Sequence, residues 1–555
     1  MSLVTGTLLS ILVVLLGFLY RYYRARKKRL LYFVERGISG PEPNIIIGNL
    51  HQIRNEGVGT VTHRWAAEYG KTYGYFEGPN PVIVTSDLDI LKSVFIKDYN
   101  RFAARKRFQL APHPDDTERV NMFFAEGQKW KRQRCIMTPS FSTTKMKQMS
   151  PLLNRCIGSM MDVLEERQNE GGPFDVYKNF QALTLDAISS VGFGLDVDSQ
   201  HDQENVFLQK CRQVFKDVIP GTRTRPLFFI LIIVATIFPG LNKYCHRLHH
   251  FFHKVGIDLD ARYWMQSTAG DIIKQRKEEK YIPNHIDFIQ IMLDAEADEV
   301  RDNLLEMTKD DVTSQKGDEK DKLNESDSDS SKPQKKSIEK KLTISEMKAN
   351  CELFLLAGYE TTSTALAYAA YQLAINETVQ RKLQEEIDEH LEPNVRPDYY
   401  TIRGLEYLDM VVSEVLRMHP IAPVVVGRTC LEETTIKGIN IEKDVTVMAD
   451  VASVHYDPEQ WGPRDPNIFD PERFRPELKA TRHPMAYLPF GAGPRNCIGM
   501  RFGLLELKLA LASILQKYHI NRCPETEVPL QTIEAATICP KNGIMVTLSL
   551  RNITD

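Results

Sequence analysis

The sequence predicts a mainly α-helical fold with a minor β portion, built as one large domain behind an N-terminal membrane helix. From Gln109 onward, apolar residues recur mostly with helical spacing. Short strand patterns stand out at 81–86, 435–447 and 544–550. Apolar residues make up 42% of the 555-residue chain, which is enough for a sizeable core.

The first segment is predicted to cross a membrane once. Residues 3–20 carry no charge, and this run is just long enough to span a bilayer. Six basic residues follow between Arg21 and Arg29, and such an excess of cations places the rest of the chain in the cytosol. A cleaved signal peptide is the disfavoured alternative, because no basic region precedes the run and no small-residue cleavage site follows it. We therefore assign 3–23 to a transmembrane anchor and 24–44 to a linker that is basic and then rich in Gly and Pro.

The remaining residues, 45–555, are predicted to form one domain. Residues 306–341 are too polar to pack, so we expect a disordered surface loop that interrupts this domain. Nine cysteines without a Cys-x-x-Cys pair are typical of a reducing compartment. The net charge of −3, from 70 basic and 73 acidic residues, indicates no nucleic-acid partner.

Two patterns leave alternatives open. The apolar run 227–235 is short for a bilayer span, and it fits either burial in the core or contact with the membrane surface. His246, His249, His250 and His253 share one helical face that could bind zinc. No carboxylate or cysteine completes such a site, so a metal site is the disfavoured interpretation.

One cysteine near the C-terminus carries the strongest chemical signal, in the stretch Pro489-Phe490-Gly491-Ala492-Gly493-Pro494-Arg495-Asn496-Cys497-Ile498-Gly499. The glycines let the backbone turn tightly and approach a flat ligand. A cysteine thiolate that binds haem iron pushes electron density into it and favours cleavage of an O–O bond on the opposite face. Arg495 offers a cation to a haem propionate, and Phe490 offers an apolar wall. The stretch therefore predicts a haem-thiolate centre.

Two other interpretations of this stretch are weaker. A cysteine buried for structural reasons is the usual fate of a lone cysteine, but it does not explain the surrounding residues. A dinucleotide-binding loop would need a glycine at position 496, which is Asn, and a good strand at 482–488, which is absent.

The pattern Phe-x-x-Gly-x-Arg-x-Cys-x-Gly resembles the signature of the cytochrome P-450 superfamily. Further stretches are similar to its microsomal family 3 and thromboxane synthase clan: 357–363, 383–388, 406–412 and 496–502. The resemblance implies a cytochrome P-450 fold for 45–555, with heme b held by Cys497. The sequence departs from family 3 at Ser39, in the longer polar insertion and at 423–427, which lies near the expected substrate channel.

The resemblance also implies roles for residues far from the cysteine. Glu360 and Thr361, an acid beside an alcohol in a helix predicted over 344–373, would relay protons to oxygen bound over the haem. A second set would contact the cofactor, with propionates as partners of the arginines: Arg105, Trp130, Arg134, Ala357, Arg428, Phe490, Arg495, Ile498 and Gly499. Glu414, Arg417 and Arg473 would form a buried charge network behind the cysteine.

The function implied is a monooxygenase that inserts one oxygen atom into a lipophilic substrate such as a steroid, a fatty acid or a xenobiotic. Electrons would come from NADPH through NADPH-cytochrome P-450 reductase, with cytochrome b5 as a further partner and Lys131 and Arg132 as candidates for a basic docking surface. The domain would face the cytosol from the endoplasmic reticulum membrane. Candidate pocket residues are Phe123, Phe124, Ala357, Val424 and Val425.

Three alternatives to a monooxygenase remain. One is a haem-thiolate isomerase that rearranges a lipid peroxide without external electrons. Another is a non-catalytic haem-binding membrane protein, and the third is a membrane-tethered helical protein without haem. The substrate, its regiochemistry and the physiological role do not follow from the sequence.

Overall fold

A computed structural model describes residues 3–107, 120–202, 204–218, 226–255, 261–279, 287–294, 341–393, 395–534 and 537–551. Within these ranges helices dominate and the strands are short, which confirms the predicted fold class. The predicted polar loop lies outside the described residues except for Lys341.

The helices of the first half are α1 to α12. Their bounds are α1 Leu3–Leu30, α2 Leu50–Glu56, α3 Val58–Tyr69, α4 Leu88–Lys92, α5 Gly127–Met137, α6 Thr143–Glu170, α7 Val176–Phe193, α8 Val206–Val218, α9 Pro226–Ile237, α10 Asn242–Lys254, α11 Arg262–Glu279 and α12 Phe288–Asp294. Those of the second half are α13 Ile344–Ile375, α14 Glu377–His390, α15 Thr401–Gly404, α16 Glu406–Met418, α17 Val451–His455, α18 Pro458–Trp461, α19 Pro476–Thr481 and α20 Met500–Lys517.

The strands form small sheets, and the largest joins distant parts of the chain. The strands are β1 Thr72–Glu77, β2 Asn80–Thr85, β3 Phe174–Asp175, β4 Gly427–Thr429, β5 Thr434–Ile436, β6 Ile439–Ile441, β7 Thr446–Ala449, β8 Tyr518–Asn521, β9 Thr532–Glu534, β10 Ile538–Pro540 and β11 Met545–Leu550. The four-stranded sheet has the order β1-β2-β7-β4, and only β2 and β7 pair in parallel. A three-stranded sheet has the order β3-β11-β8, and two hairpins, β5-β6 and β9-β10, complete the set.

Helix α13 runs through the main core. Thr343 caps its first turn, because its side chain accepts from the amide of Glu346 while the Glu346 carboxylate accepts from the Thr343 amide. Most of its residues from Ser363 to Leu373 are fully buried, packed among apolar side chains of α6, α7, α16 and α20. Such all-round burial fits a helix in the centre of a large domain.

Helix α1 is the N-terminal candidate for a membrane span. Its 28 residues would extend over about 42 Å, more than the roughly 30 Å of a bilayer core. Among the described helices, it alone is long enough and apolar enough to cross a membrane. The basic residues from Arg21 to Arg29 continue the same helix.

The end of α1 is attached to the rest of the molecule by polar contacts. Arg26 donates to the carbonyl oxygen of Ile45 at 3.1 Å, and the Tyr22 hydroxyl donates to that of Ile237 at 2.8 Å. Arg29 forms an ion pair with Glu442 at 2.9 Å. Helix α1 therefore touches both the segment after it and the end of α9.

The apolar run at 227–235 lies within α9 and is buried only in part. Leu231 and Ala235 are buried, whereas Ile230 is 53% exposed. The helix therefore packs on one side and offers apolar surface on the other.

Candidate active site

A cavity of about 1420 Å³ lies between α13 and the turn that carries Cys497. Its lining is largely apolar, as in pockets that enclose small molecules. Cys497 and Thr361 both line it, although they are far apart in the sequence. The candidate pocket residues line it as well: Phe123, Phe124, Ala357, Val424 and Val425.

The turn before Cys497, which we call the cysteine turn, comprises residues 488–499. The Cys497 amide donates to the Phe490 carbonyl at 2.9 Å, and the Leu488 amide donates to His455 Nε2 at 2.8 Å. Gly493 has a φ of +70°, and a Cβ atom there would lie 1.9 Å from the Phe95 carbonyl oxygen. A glycine is therefore required at position 493 both by its left-handed backbone and by the close approach of another segment.

The thiol of Cys497 is accessible and lines the cavity three residues before α20 begins. Burial raises its pKa, while the Gly499 amide and the guanidinium charges of Arg134 and Arg105 lower it. The partial positive charge at the start of α20 also favours the thiolate. These groups suit a sulfur that binds a metal ion as the anion.

Four arginines reach the same part of the cavity lining, which we call the arginine wall. They are Arg105, Arg134, Arg428 and Arg495. Arg105 donates to the carbonyl of Arg495 at 2.8 Å, and Arg428 donates to that of Ala492 at 3.2 Å. Arg134 donates to the carbonyl of Asn496 at 3.0 Å and to its side-chain oxygen at 2.8 Å. The arginines thus hold the cysteine turn through its backbone oxygens.

The arginine wall concentrates positive charge at the cavity. In the described residues no acidic side chain forms an ion pair with Arg105, Arg428 or Arg495. Burial, and then the neighbouring arginine charges, lower the pKa of Arg105 to about 9, and burial lowers that of Arg495 to about 10. The Arg428 Nε atom is buried without a hydrogen-bond acceptor. An anionic ligand edge would neutralise this wall.

Aromatic and small residues complete the lining around the thiol. Trp130 is buried and lies under the Arg495 guanidinium, 4.6 Å from ring centroid to Cζ. Phe490, Ile498 and Gly499 also line the cavity. The accessible thiol, the arginine wall and this apolar lining fit haem, a flat apolar ring with two carboxylates on one edge. All of the residues predicted from the sequence to contact the cofactor lie in the lining of this one cavity.

The predicted acid–alcohol pair is not brought together in the same way. Thr361 lines the cavity, and its hydroxyl donates to the Ala357 carbonyl at 2.7 Å. Glu360 is absent from the described lining and is only 4% exposed. Consecutive helical residues point about 100° apart, so the two side chains leave α13 in different directions.

Glu360 contacts α7 instead. The Tyr177 hydroxyl donates to its carboxylate at 2.7 Å and lies 3.0 Å from the Thr364 hydroxyl. Burial raises the pKa of Glu360 to about 7, although hydrogen bonds from Tyr177 and Gln181 lower it. This carboxylate can therefore exchange a proton near neutral pH, but not by direct contact with the cavity.

The charge network predicted behind the cysteine is present. Glu414 accepts from Arg417 at 2.6 and 2.8 Å and lies 3.4 Å from Arg473 Nε, and all three are buried. Arg417 also donates to the His455 carbonyl at 2.7 Å. Because the His455 ring accepts from Leu488, the network is connected to the cysteine turn.

Other predicted polar groups have ordinary partners. Arg132, a candidate for the docking surface, pairs with Glu346 and is mostly buried. The rings of His249 and His250 lie tilted against Tyr263, with ring centroids 5.5 and 5.6 Å away, and the side chain of His253 lies outside the described residues. The part of the chain that is described holds no cluster able to bind a metal through His, Cys, Asp or Glu.

Sequence reasoning missed two polar features of this region. Glu77 and Lys106 form an ion pair in the cavity lining, and nothing in the sequence relates a residue of β1 to one after Arg105. Glu506 on α20 is 1% exposed, and burial holds its pKa well above its usual value. Its place within an apolar helical pattern was the signal that could have found it.

Comparison with known proteins finds one matching family model and relatives that align with nearly the whole chain. The family model described as cytochrome P450 matches residues 38–318 and 298–548. The chain is 31% identical to cytochrome P450 3A13 of Mus musculus over 526 residues, which cover 94% of this chain and 93% of that protein. It is 32% identical to thromboxane-A synthase of Rattus norvegicus over 562 residues, which cover 99% of this chain and 98% of that protein.

Proposed function

The chain belongs to the cytochrome P450 family, and we propose from this that Cys497 binds the haem iron of a membrane-anchored monooxygenase. Membership in this family supports the type of enzyme, which is a cytochrome P450 monooxygenase with a haem-thiolate centre. The assignment of Cys497 rests on one observation: it lines the cavity beside Arg105, Arg428 and Arg495, with which no acidic side chain of the described residues forms an ion pair.

The arginine wall would hold the two propionates. Arg105, Arg428 and Arg495 come from different segments, so together they would hold the propionate edge of the cofactor from several directions. Trp130 and Phe490 would cover its apolar parts. The bound haem would supply iron that activates dioxygen for insertion into a substrate C–H bond.

Thr361 is the group of α13 suited to hold a proton at the oxygen-binding face. Its hydroxyl lines the cavity and donates to the Ala357 carbonyl, so it can accept from water while keeping that bond. Glu360 would hold a proton on the α7 side, where its carboxylate accepts from Tyr177, and because neither Tyr177 nor Thr364 is in the described lining, transfer to Thr361 would need intervening water.

The substrate proposed is lipophilic, of the size of a steroid, a fatty acid or a xenobiotic. The cavity of about 1420 Å³ would hold both the haem and, in its largely apolar remainder, such a molecule. Electrons would come from NADPH through NADPH-cytochrome P-450 reductase, with cytochrome b5 as a further donor. Helix α1 would anchor the domain in the endoplasmic reticulum membrane, facing the cytosol, because basic residues follow its apolar part.

An isomerase is the second candidate, and two observations favour it. One relative bears the name thromboxane-A synthase, and Glu360 lies outside the cavity lining. An isomerase of a lipid peroxide would need no external electrons and no delivered protons. Consumption of NADPH in step with product formation distinguishes the monooxygenase from it.

The ligand assignment is tested by the absorption spectrum of the reduced protein with carbon monoxide. We expect the red-shifted band of a thiolate ligand in the parent protein and its loss in Cys497→Ala. Cys523→Ala is a matched control, since Cys523 is buried away from the described cavity lining. A parent protein that binds haem without this band would contradict the proposal.

A further inference from the structure

The Glu77–Lys106 ion pair is a polar feature of the cavity lining that oxygen chemistry does not use. Lys106 Nζ donates to Glu77 Oε1, which also accepts from the Tyr75 hydroxyl at 2.7 Å. Lys106 Nζ also lies 3.7 Å from the Met448 sulfur. The side chains of Lys106 and Glu77 are only 10% and 11% exposed, and both residues line the cavity.

The two carboxylate oxygens of Glu77 are not equivalent. Both hydrogen bonds go to Oε1, and Oε2 accepts none from the described part of the chain. A largely desolvated carboxylate oxygen gains more from a hydrogen bond than one in water, because a missing partner costs its full desolvation. The lining therefore contains an acceptor that a ligand can satisfy.

The charge balance selects the ligand group. Lys106 already neutralises Glu77, so an ammonium group would add an unmatched buried charge, and a carboxylate would face Glu77 Oε2. A neutral O–H donor satisfies the oxygen without changing the charge.

The surroundings of Glu77 point to a lipid source. Its backbone pairs with Gly48, in the segment whose Ile45 carbonyl accepts from Arg26 of α1. A Cβ atom on Gly78 would lie 2.5 Å from the carbonyl oxygen of Thr236, at the end of α9. The acceptor thus lies beside the end of the membrane helix, where the polar heads of amphipathic molecules reside.

We propose that Glu77 Oε2, held by Lys106 and Tyr75, binds the hydroxyl of a lipid alcohol and makes amphipathic alcohols the preferred substrate class. This inference rests on the proposed function, because the hydroxyl is bound in the cavity that would hold the haem. It adds a subsite for a neutral hydroxyl group to a cavity whose lining is largely apolar.

The test compares ligands that differ only at the polar group. Dodecanol, dodecyl methyl ether and dodecanoate are titrated into the haem-loaded full chain, and the spin-state change of the absorption spectrum gives each Kd. We expect dodecanol to bind about 10-fold more tightly than the ether, as one hydrogen bond to a charged acceptor supplies. Equal affinities for alcohol and ether, or tighter binding of dodecanoate, would overturn the proposal.

A double variant isolates the subsite. Glu77→Leu with Lys106→Met removes both charges together and leaves no unpaired buried ion. We expect the preference for dodecanol over the ether to vanish while the affinity for the ether changes little. Asp409→Leu with Lys508→Met is the control, since this pair, 2.6 Å apart, lies outside the described cavity lining. A double variant that keeps the preference would refute the role of Glu77.

The outcomes separate this inference from the proposed function. If the double variant fails to load haem, the comparison of alcohol with ether in the parent protein still decides the question. Loss of the thiolate band in the parent protein would refute the haem assignment itself. A normal thiolate band without any preference for the alcohol would refute the subsite alone.

Discussion

The two sides of the cavity are built differently. On the cysteine side, backbone hydrogen bonds, the arginine wall and the Glu414 network all act on one short turn. On the α13 side, Thr361 and Thr362 line the cavity, while Glu360 turns toward Tyr177. The cysteine side is thus specified by many mutually dependent groups, which suits a fixed cofactor. The α13 side contributes single side chains, so one substitution there can change the reaction without disturbing a network.

The largest effect is expected for Glu414→Ala on the cysteine side. It leaves Arg417 and Arg473 buried without their carboxylate, which should cost about 3–5 kcal/mol of the free energy of unfolding. Urea titration measures this cost. Glu165→Gln removes an exposed ion pair with Lys517 and should cost less than about 1 kcal/mol. Similar costs for the two variants would mean that the network does not stabilise the cysteine side.

The next effect concerns Glu360 and the pH dependence of stability. Its folded pKa, about 7, lies above the ordinary value of 4.5, so the stability that it contributes at low pH is lost as the pH rises through 7. The shift corresponds to about 3 kcal/mol between pH 4 and pH 8. Glu360→Gln should remove this part of the pH dependence, measured by urea titration across that range. An unchanged profile would show that folding does not raise the pKa of Glu360 above its ordinary value.

A smaller effect should distinguish two of the three glycines of the cysteine turn. Gly491 and Gly493 both have φ of +70°, but only at Gly493 would a Cβ atom meet another segment. Gly493→Ala should therefore cost about 2 kcal/mol more than Gly491→Ala, with a matching loss of bound haem. Equal effects in haem content and urea titration would mean that the Phe95 segment moves freely away.

The smallest effect is expected at Thr361. Thr361→Val keeps the shape but loses the hydroxyl, so proton delivery should fail in part and product formed per NADPH should fall about 10-fold. Thr361→Ser, which retains the hydroxyl, should restore most of the yield. A Val variant with full coupling of NADPH to product would place proton delivery elsewhere.

The sequence predicted the cysteine side better than the α13 side. Residues such as Gly493, Arg495 and Cys497 are close in sequence, so their spacing is already a spatial pattern. Glu360 and Thr361 are also neighbours, but the helical turn separates their side chains and Tyr177 decides where the acid points. The pairing of Glu77 with Lys106 depends on how a strand meets a distant segment, and no local pattern encodes that.

The pairing of distant strands in the four-stranded sheet could not be predicted from the sequence for the same reason. The strand patterns near 81–86 and 435–447 are local, but the parallel pairing of Val82 with Thr446 is tertiary. Parallel pairing of strands so far apart is set by the packing of the helices between them.

Helix α1 continues without a break from its apolar part to Leu30, and Tyr22 and Arg26 bond to the domain. A domain joined in this way does not swing freely on a tether. If α1 spans the bilayer, the tilt of that helix sets the height of the domain above the membrane and its orientation relative to the bilayer. Encounters with a membrane-bound electron donor then become a search in two dimensions, in which rotation about the membrane normal is the main remaining freedom.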